Sequence, residues 1–243
     1  MQQQGFAMIE IRPFESLGGA SFGWLKAKHH FAFGRYHDPA RMGWGRLRVW
    51  NDDEIAPGTG FDPHPHRDME IVTFVRQGAI THRDDLGNEG RTEAGDVQVM
   101  SAGTGITHAE YNLEPVTTTL FQIWIHPDRH GATPVWGTRR FPRADGEGFT
   151  VLASGRAADE GHGALPLNAD AAVLAANLAE GASAVLDLAP GRSAYLVVGR
   201  GRARVNGRLL NERDGAAISE ETRIAVTAEG GPAEVVLVET AAG

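Results

Sequence analysis

The 243-residue sequence contains no cysteine. That absence excludes structural disulfides, thiol nucleophiles and thiolate metal ligands together, so any bound ion has to be held by nitrogen and oxygen. Basic charge is also scarce, with 23 Lys and Arg against 31 Asp and Glu and a formal net charge of −8. A partner recognised through nucleic-acid phosphates would find no large basic surface. The short clusters "GTRR" (137–140) and "GRGRAR" (199–204) read as solvated charge on sheet faces or turns. No apolar run approaches the roughly 20 residues of a membrane span. The start "MQQQGFAMIEIRPF" lacks a basic region followed by an apolar core. The expectation is a cytoplasmic protein with no membrane and no direct nucleic-acid partner.

Hydrophobic residues at 42% and charged residues at 22% are values of a folded globular chain. Its 31 glycines and 12 prolines recur between short runs such as "GRLRVW", "MEIVTFV", "TLFQIWI", "SAYLVV" and "AEVVLV". Runs of this length, rich in β-branched and aromatic residues and bounded by turn residues, predict strands and an all-β chain. Turns at "LGN" (86–88), "EAGD" (93–96), "APGR" (189–192) and "VNGR" (205–208) support it. The alanine-rich "NADAAVLAANLAEGA" (168–182) has helical propensity but also fits two strands joined at "EGA". An internal repeat favours strands: "EIVTFVRQGAITHRDDLGNEGRTEAGDVQVMSAG" (70–103) and "SAYLVVGRGRARVNGRLLNERDGAAISEE" (193–221) share the order strand, Gly, strand, turn, Gly and acid, strand. Two similar β-domains follow, divided within the Pro-, Gly- and charge-rich stretch 126–148.

Chemistry concentrates in two short stretches. In "FDPHPHRDME" (61–70), His64 and His66 are separated by one residue, so on a strand they share a face while Pro65 points away. "GITHAEYN" repeats the spacing with His108 and Glu110. Two such pairs on facing strands would make a site of three imidazoles and one carboxylate, a donor set suited to transition metals. Glu70 is a competing acid, because strand parity also aligns it with His64 and His66.

Gly58, "HPH" and Glu70, followed by Gly95, "SAGTGITH" and Asn112, resemble the two metal motifs of cupins. Within cupins, "GFDPHPHRDMEIVTFV" and "MSAGTGITHAEYN", with "GWLKAKHHFAFGRYHDP" (23–39) before and "FQIWIHP" (121–127) after, resemble the pirin family, nearest to its bacterial quercetin 2,3-dioxygenase-like members. The resemblance covers most of residues 20–145 and implies a bicupin, two cupin-type β-barrel (double-stranded β-helix) domains facing each other. The implied organisation is an N-terminal metal-binding domain over 1–135, a linker over 136–150 and a metal-free C-terminal domain over 151–243. The implied ligands are His64, His66, His108 and Glu110, with Glu70 placed behind them or along the pocket wall.

The resemblance further implies one divalent transition metal ion, with Fe first and Mn, Ni, Co, Cu or Zn as alternatives. The implied activity is a metal-dependent dioxygenase that cleaves the central ring of quercetin or a related flavonol with O2 and releases carbon monoxide. Glu110 would take the proton of a small planar phenolic substrate. The alternative role is an iron-binding, redox-responsive regulator acting through a protein partner. Phe61 and Tyr111 are candidates to face a planar ligand. His29, His30, His37, His82, His126 and His130 read as structural or exposed, Trp24, Trp44, Trp50 and Trp124 as core, and Asp84 and Asp85 as a solvated turn.

Overall fold

The computed structural model describes residues 8–141 and 148–242. Residues 1–7, the centre of the expected linker (142–147) and residue 243 lie outside the described residues. Alternating patterns and glycine-bearing turns produce strands almost throughout. In the first half these are β1 (Met8–Arg12), β2 (Gly18–Ser21), β3 (Leu25–His29), β4 (Leu47–Ile55), β5 (Thr59–His66), β6 (Glu70–Gln77), β7 (Ala79–Asp84), β8 (Glu89–Glu93), β9 (Val97–Ser101), β10 (Ile106–Asn112), β11 (Thr118–Ile125) and β12 (Val135–Arg139). The second half supplies β13 (Thr150–Ser154), β14 (Leu165–Pro166), β15 (Ala171–Leu178), β16 (Ser183–Asp187), β17 (Arg192–Arg200), β18 (Ala203–Val205), β19 (Arg208–Leu210), β20 (Gly215–Ser219), β21 (Arg223–Ala228) and β22 (Ala233–Ala241).

These strands form two units of one design. The first pairs a seven-stranded sheet, β12-β9-β6-β11-β4-β3-β2, with a four-stranded sheet, β5-β10-β7-β8. The second repeats it with β1-β20-β17-β22-β15-β13-β14 and β16-β21-β18-β19. The repeat seen in the sequence maps onto β6 to β9 and β17 to β20, and "NADAAVLAANLAEGA" supplies β15 before its "EGA" turn leads to β16. The protein is thus all-β, built of two barrels of one strand order.

Two strands depart from a simple division of the chain. β1 pairs in full antiparallel register with β20, Met8 opposite Ser219 and Arg12 opposite Gly215, so the first described strand completes the large sheet of the second barrel. β12 occupies part of the expected linker and pairs with β9, Val135 opposite Ser101. Both strands cover edges that would otherwise present unpaired backbone groups.

The large sheets face each other across a core that draws on both, including Trp50, Phe74, Phe121 and Ile123 from the first unit and Val173, Tyr195, Val197 and Val236 from the second. The second barrel is filled by apolar residues such as Leu174, Leu196, Val205, Ile224 and Leu237, with the buried Glu239 paired to Arg156 and Arg192 towards the end of β22. Between the barrels one buried carboxylate ties the units together. Asp52 accepts a hydrogen bond from Arg76 of its own sheet and one of 2.6 Å from Arg213 Nε of the second unit. Arg213 also reaches Glu54 at 3.0 Å and lies 4.1 Å over the Phe14 ring. Burial lowers the Arg76 pKa against the opposing pull of Asp52. Asp52→Ala would take the buried acceptor from both guanidinium groups, leaving Arg213 only Glu54, and a loss of about 3–5 kcal/mol in urea-unfolding stability is expected; a change under about 1 kcal/mol would show that the pair contributes little.

Candidate metal centre

The two motif strands are neighbours. β10 pairs with β5 so that His108 lies opposite His64 and Ile106 opposite His66. On its other side β10 pairs with β7, placing His108 opposite Asp84 and Glu110 opposite His82. Directly opposed residues project to the same face of a sheet, so these side chains all enter the barrel. The register shifts by a bulge between His108 and Glu110. Gly60 permits the close approach there, since a Cβ would sit 2.2 Å from the Glu110 carbonyl oxygen. Bulges re-aim side chains beside active sites, and this one separates two potential ligands.

His64, His66 and His108 converge, with ring centroids 4.5 to 5.0 Å apart and one ligand nitrogen of each lying within 4.8 Å of the others. His64 Nδ1 donates to the Asp62 carbonyl at 2.8 Å, which leaves Nε2 with its lone pair. His108 Nε2 is buried and has no hydrogen-bond partner. His66 rests edge-on against Trp124 at 4.9 Å. Burial, then the neighbouring His64, pushes the His66 pKa down to about 4. Burial with His64, His66 and His82 pushes His108 down to about 2. Both rings are neutral at ordinary pH and free to donate to an ion. Clustered neutral imidazoles with an orphaned buried nitrogen fit a divalent metal.

Glu110 follows two residues beyond His108 on β10, across the register shift. Its Oε1 accepts from Gln98 Nε2 at 2.5 Å and Thr73 Oγ1 at 3.3 Å, and its Oε2 accepts from Gln122 Nε2 at 2.6 Å. The carboxylate groups with His82 and His108, while the three-histidine cluster closes without it. Burial pushes its pKa up to about 7 against the bonds from Gln122, Thr73 and Gln98.

A cavity of about 250 Å³ opens onto this cluster. Phe22, Phe33, Phe61, Ile71 and Trp124 give it apolar walls, and Asp53, Asn51 and His29 form a polar one. His29 Nδ1 and Asn51 Oδ1 are 2.8 Å apart. Asp53 is 2% exposed and its Oδ1 has no partner. Burial, then Asp52 and Glu110, holds its carboxyl well above the usual carboxylate range, with Arg76 opposing.

Several expectations are corrected here. Glu70 lies neither behind the ligands nor along the pocket. The turn after His66, where Asp68 adopts φ 47°, breaks the strand, so parity does not carry across it. Glu70 begins β6 on the face opposite Thr73, where its carboxylate accepts from Ser101 Oγ at 2.5 Å and the Asn168 amide of the second unit at 3.0 Å. Tyr111 alternates with Glu110 and is outside the barrel, hydrogen-bonded to Asp62. His82 and Asp84 are not surface groups: both side chains are fully buried and they pair at 2.9 Å. Their spacing is a third i,i+2 pair of ligand-type residues, a signal present in "THRDD". His29 and Trp124 line the cavity. Gln98, Gln122 and Thr73 carry no sequence signal, because an amide or hydroxyl within a strand is common.

Known proteins resemble this chain over both barrels. Residues 10–125 match the family model Pirin, and residues 151–240 match the model of a quercetinase C-terminal cupin domain. A pirin-like protein of Caulobacter vibrioides is 60% identical over 235 residues, covering 96% of this chain and all of that protein. A quercetin 2,3-dioxygenase of Escherichia coli is 39% identical, covering 96% of this chain and 98% of its own. The crystal structure of the bacterial pirin YhhW from Escherichia coli in complex with nickel(II) superposes with a TM-score of 0.90 at 37% identity, covering 97% of this chain and the whole of the other. Among the described residues no helix is long and apolar enough to cross a membrane.

Two outcomes are expected. His64→Ala removes one of three clustered imidazoles at a half-buried position, so metal content after purification should fall sharply while the unfolding midpoint changes little; unchanged occupancy would remove this cluster as the site. For Asp53 the raised folded-state pKa means that the folded protein retains a proton which the unfolded chain has lost above about pH 3.9. Stability from this group is therefore present at low pH and declines as pH rises towards the folded pKa. Asp53→Asn cannot ionise, so it should be more stable than wild type in urea at pH 7, with the advantage vanishing towards pH 4.

Proposed function

The chain belongs to the pirin family, and from that premise we propose that it is a metal-dependent dioxygenase that opens the central ring of quercetin or a related flavonol with O2 and releases carbon monoxide. The observation that carries the reading is the three-imidazole cluster at the floor of an apolar-walled cavity, with a buried carboxylate beside it. His64, His66, His108 and Glu110 would hold the ion, iron first among the candidates and Mn, Ni, Co, Cu or Zn as alternatives. A bound ion would polarise a phenolic oxygen and bring it together with O2.

The remaining work falls to side chains. Glu110, buried beside His108, takes the phenolic proton. Gln98 and Gln122, donating one bond to each oxygen, fix the direction in which the carboxylate faces. Phe61 and Trp124 supply flat apolar contact for a planar ring and keep water away from the reacting oxygen. The cavity is slightly smaller than the 300–1,000 Å³ typical of sites that enclose drug-sized ligands. One ring of a flavonol would therefore project at the mouth beside Phe22 and Arg35, so the enclosed ring and its hydroxyl set selectivity.

Protein loaded in turn with Fe, Mn, Ni, Co or Cu should bleach the flavonol absorbance band under air, consume O2 and release carbon monoxide. Glu110→Gln should reduce turnover by about 10²–10⁴-fold, the usual range for loss of a general base. A flavonol band unchanged with every metal would overturn the assignment. Partner capture that depends on His64 and His66 without any oxygen consumption would favour the regulatory alternative.

A further inference from the structure

Behind the ion-binding face of His108 runs a chain of buried polar contacts whose direction can be read from hydrogen-bond chemistry. His82 Nε2 is 2.9 Å from Asp84 Oδ2, and His82 Nδ1 is 3.3 Å from His108 Nδ1. Asp84 is already committed as an acceptor: Oδ1 takes the amides of Leu86 and Asn88 at 3.0 and 2.9 Å, and Oδ2 takes Asn88 Nδ2 at 2.9 Å. Burial favours the protonated acid, but the bonds from His82 and Asn88 outweigh it and lower the Asp84 pKa. An ionised carboxylate can only accept, so the hydrogen on His82 sits on Nε2. A neutral imidazole has one N–H, which makes His82 Nδ1 an acceptor and places a hydrogen on His108 Nδ1. The nitrogen left with a lone pair is His108 Nε2, the buried atom without a partner. The Trp136 indole of β12 stacks on His82 at 4.7 Å and 9°, closing the ring's other freedom.

We propose that Asp84 and His82, clamped by Trp136, are positioning residues that hold His108 in its Nδ1–H tautomer before any ion arrives, so that Nε2 is preset for the metal. The inference rests on His108 being a ligand and is independent of which substrate the protein takes. Outer partners of this kind orient a ligand and raise its basicity. Here the partner is a second histidine, and the ordering runs from a turn carboxylate through two rings.

The test uses metal-free protein labelled with ¹⁵N-histidine, together with Ni²⁺ titration. In the wild type His108 should show a single Nδ1–H tautomer without metal. His82→Leu should give a mixture of tautomers and Ni²⁺ affinity weakened about 10–100-fold. His82→Gln keeps one acceptor and one donor in the same place and should restore most of the affinity, which a merely space-filling role would not require. Asp84→Asn and Trp136→Ala should weaken Ni²⁺ binding in the same direction, and they carry the test if His82→Leu fails to fold. Wild-type His108 found as Nε2–H in the metal-free protein, or His82→Leu with unchanged tautomer and affinity, would overturn the proposal. Failure of flavonol turnover would leave these readouts untouched, so the two readings can fail separately.

Discussion

The large sheet of the first barrel is covered on both faces, and strand alternation has to serve two different interiors at once. One face lies against the second barrel and carries Trp50, Val72, Phe74, Val97, Phe121 and Ile123. The other lines the cavity and carries Asn51, Asp53, Thr73, Gln98 and Gln122 among apolar neighbours. Because the period is two, neighbouring residues are sent to opposite environments. Asp52 and Asp53 show the consequence most sharply. The first is neutralised between barrels by Arg76 and Arg213, and the second stays unpaired beside the metal centre. A one-residue slip of β4 would exchange them and disrupt both interiors.

The two barrels share a design and divide the costs of function. The second is filled by a large apolar cluster, which is the cheaper way to fill a barrel. The first holds a buried polar network that remains tolerable because its members satisfy one another. Glu110 is held by Gln98 and Gln122, and Gln98 in turn accepts from Thr92, which meets Thr138 of β12 at 2.8 Å. Networks of this kind specify one arrangement more narrowly than apolar packing does. Two of the buried polar atoms left without a partner, His108 Nε2 and Asp53 Oδ1, belong to residues that border the cavity.

Much of this was legible in the residues. Alternation and turn glycines led to the strands, the internal repeat led to two barrels of the same strand order, and paired i,i+2 residues led to His64, His66 and His108. What escaped has physical reasons. Parity was carried from His66 to Glu70 through a turn that resets it. The residues alone leave His82 as structural or exposed and Asp84 in a solvated turn, because burial of a polar pair depends on cross-strand register, which no local pattern reveals. The exchange of β1 into the second barrel is a contact between distant parts of the chain. Gln98 and Gln122 matter only through what faces them, and their spacing is that of ordinary strand residues.

The exchanged strand also bears on how the molecule is made. A chain emerging from the ribosome usually completes its first domain before the second has been synthesised. Here β1 precedes the strands of the first barrel, yet its partner β20 follows them. The strand cannot take its place until β20 has been made, and it carries the apolar Ile9 and Ile11 that finally pack with the second barrel. The second barrel therefore has one sheet edge sealed by a strand that precedes the whole of the first barrel. Its closure ties the two units together in the order of their synthesis.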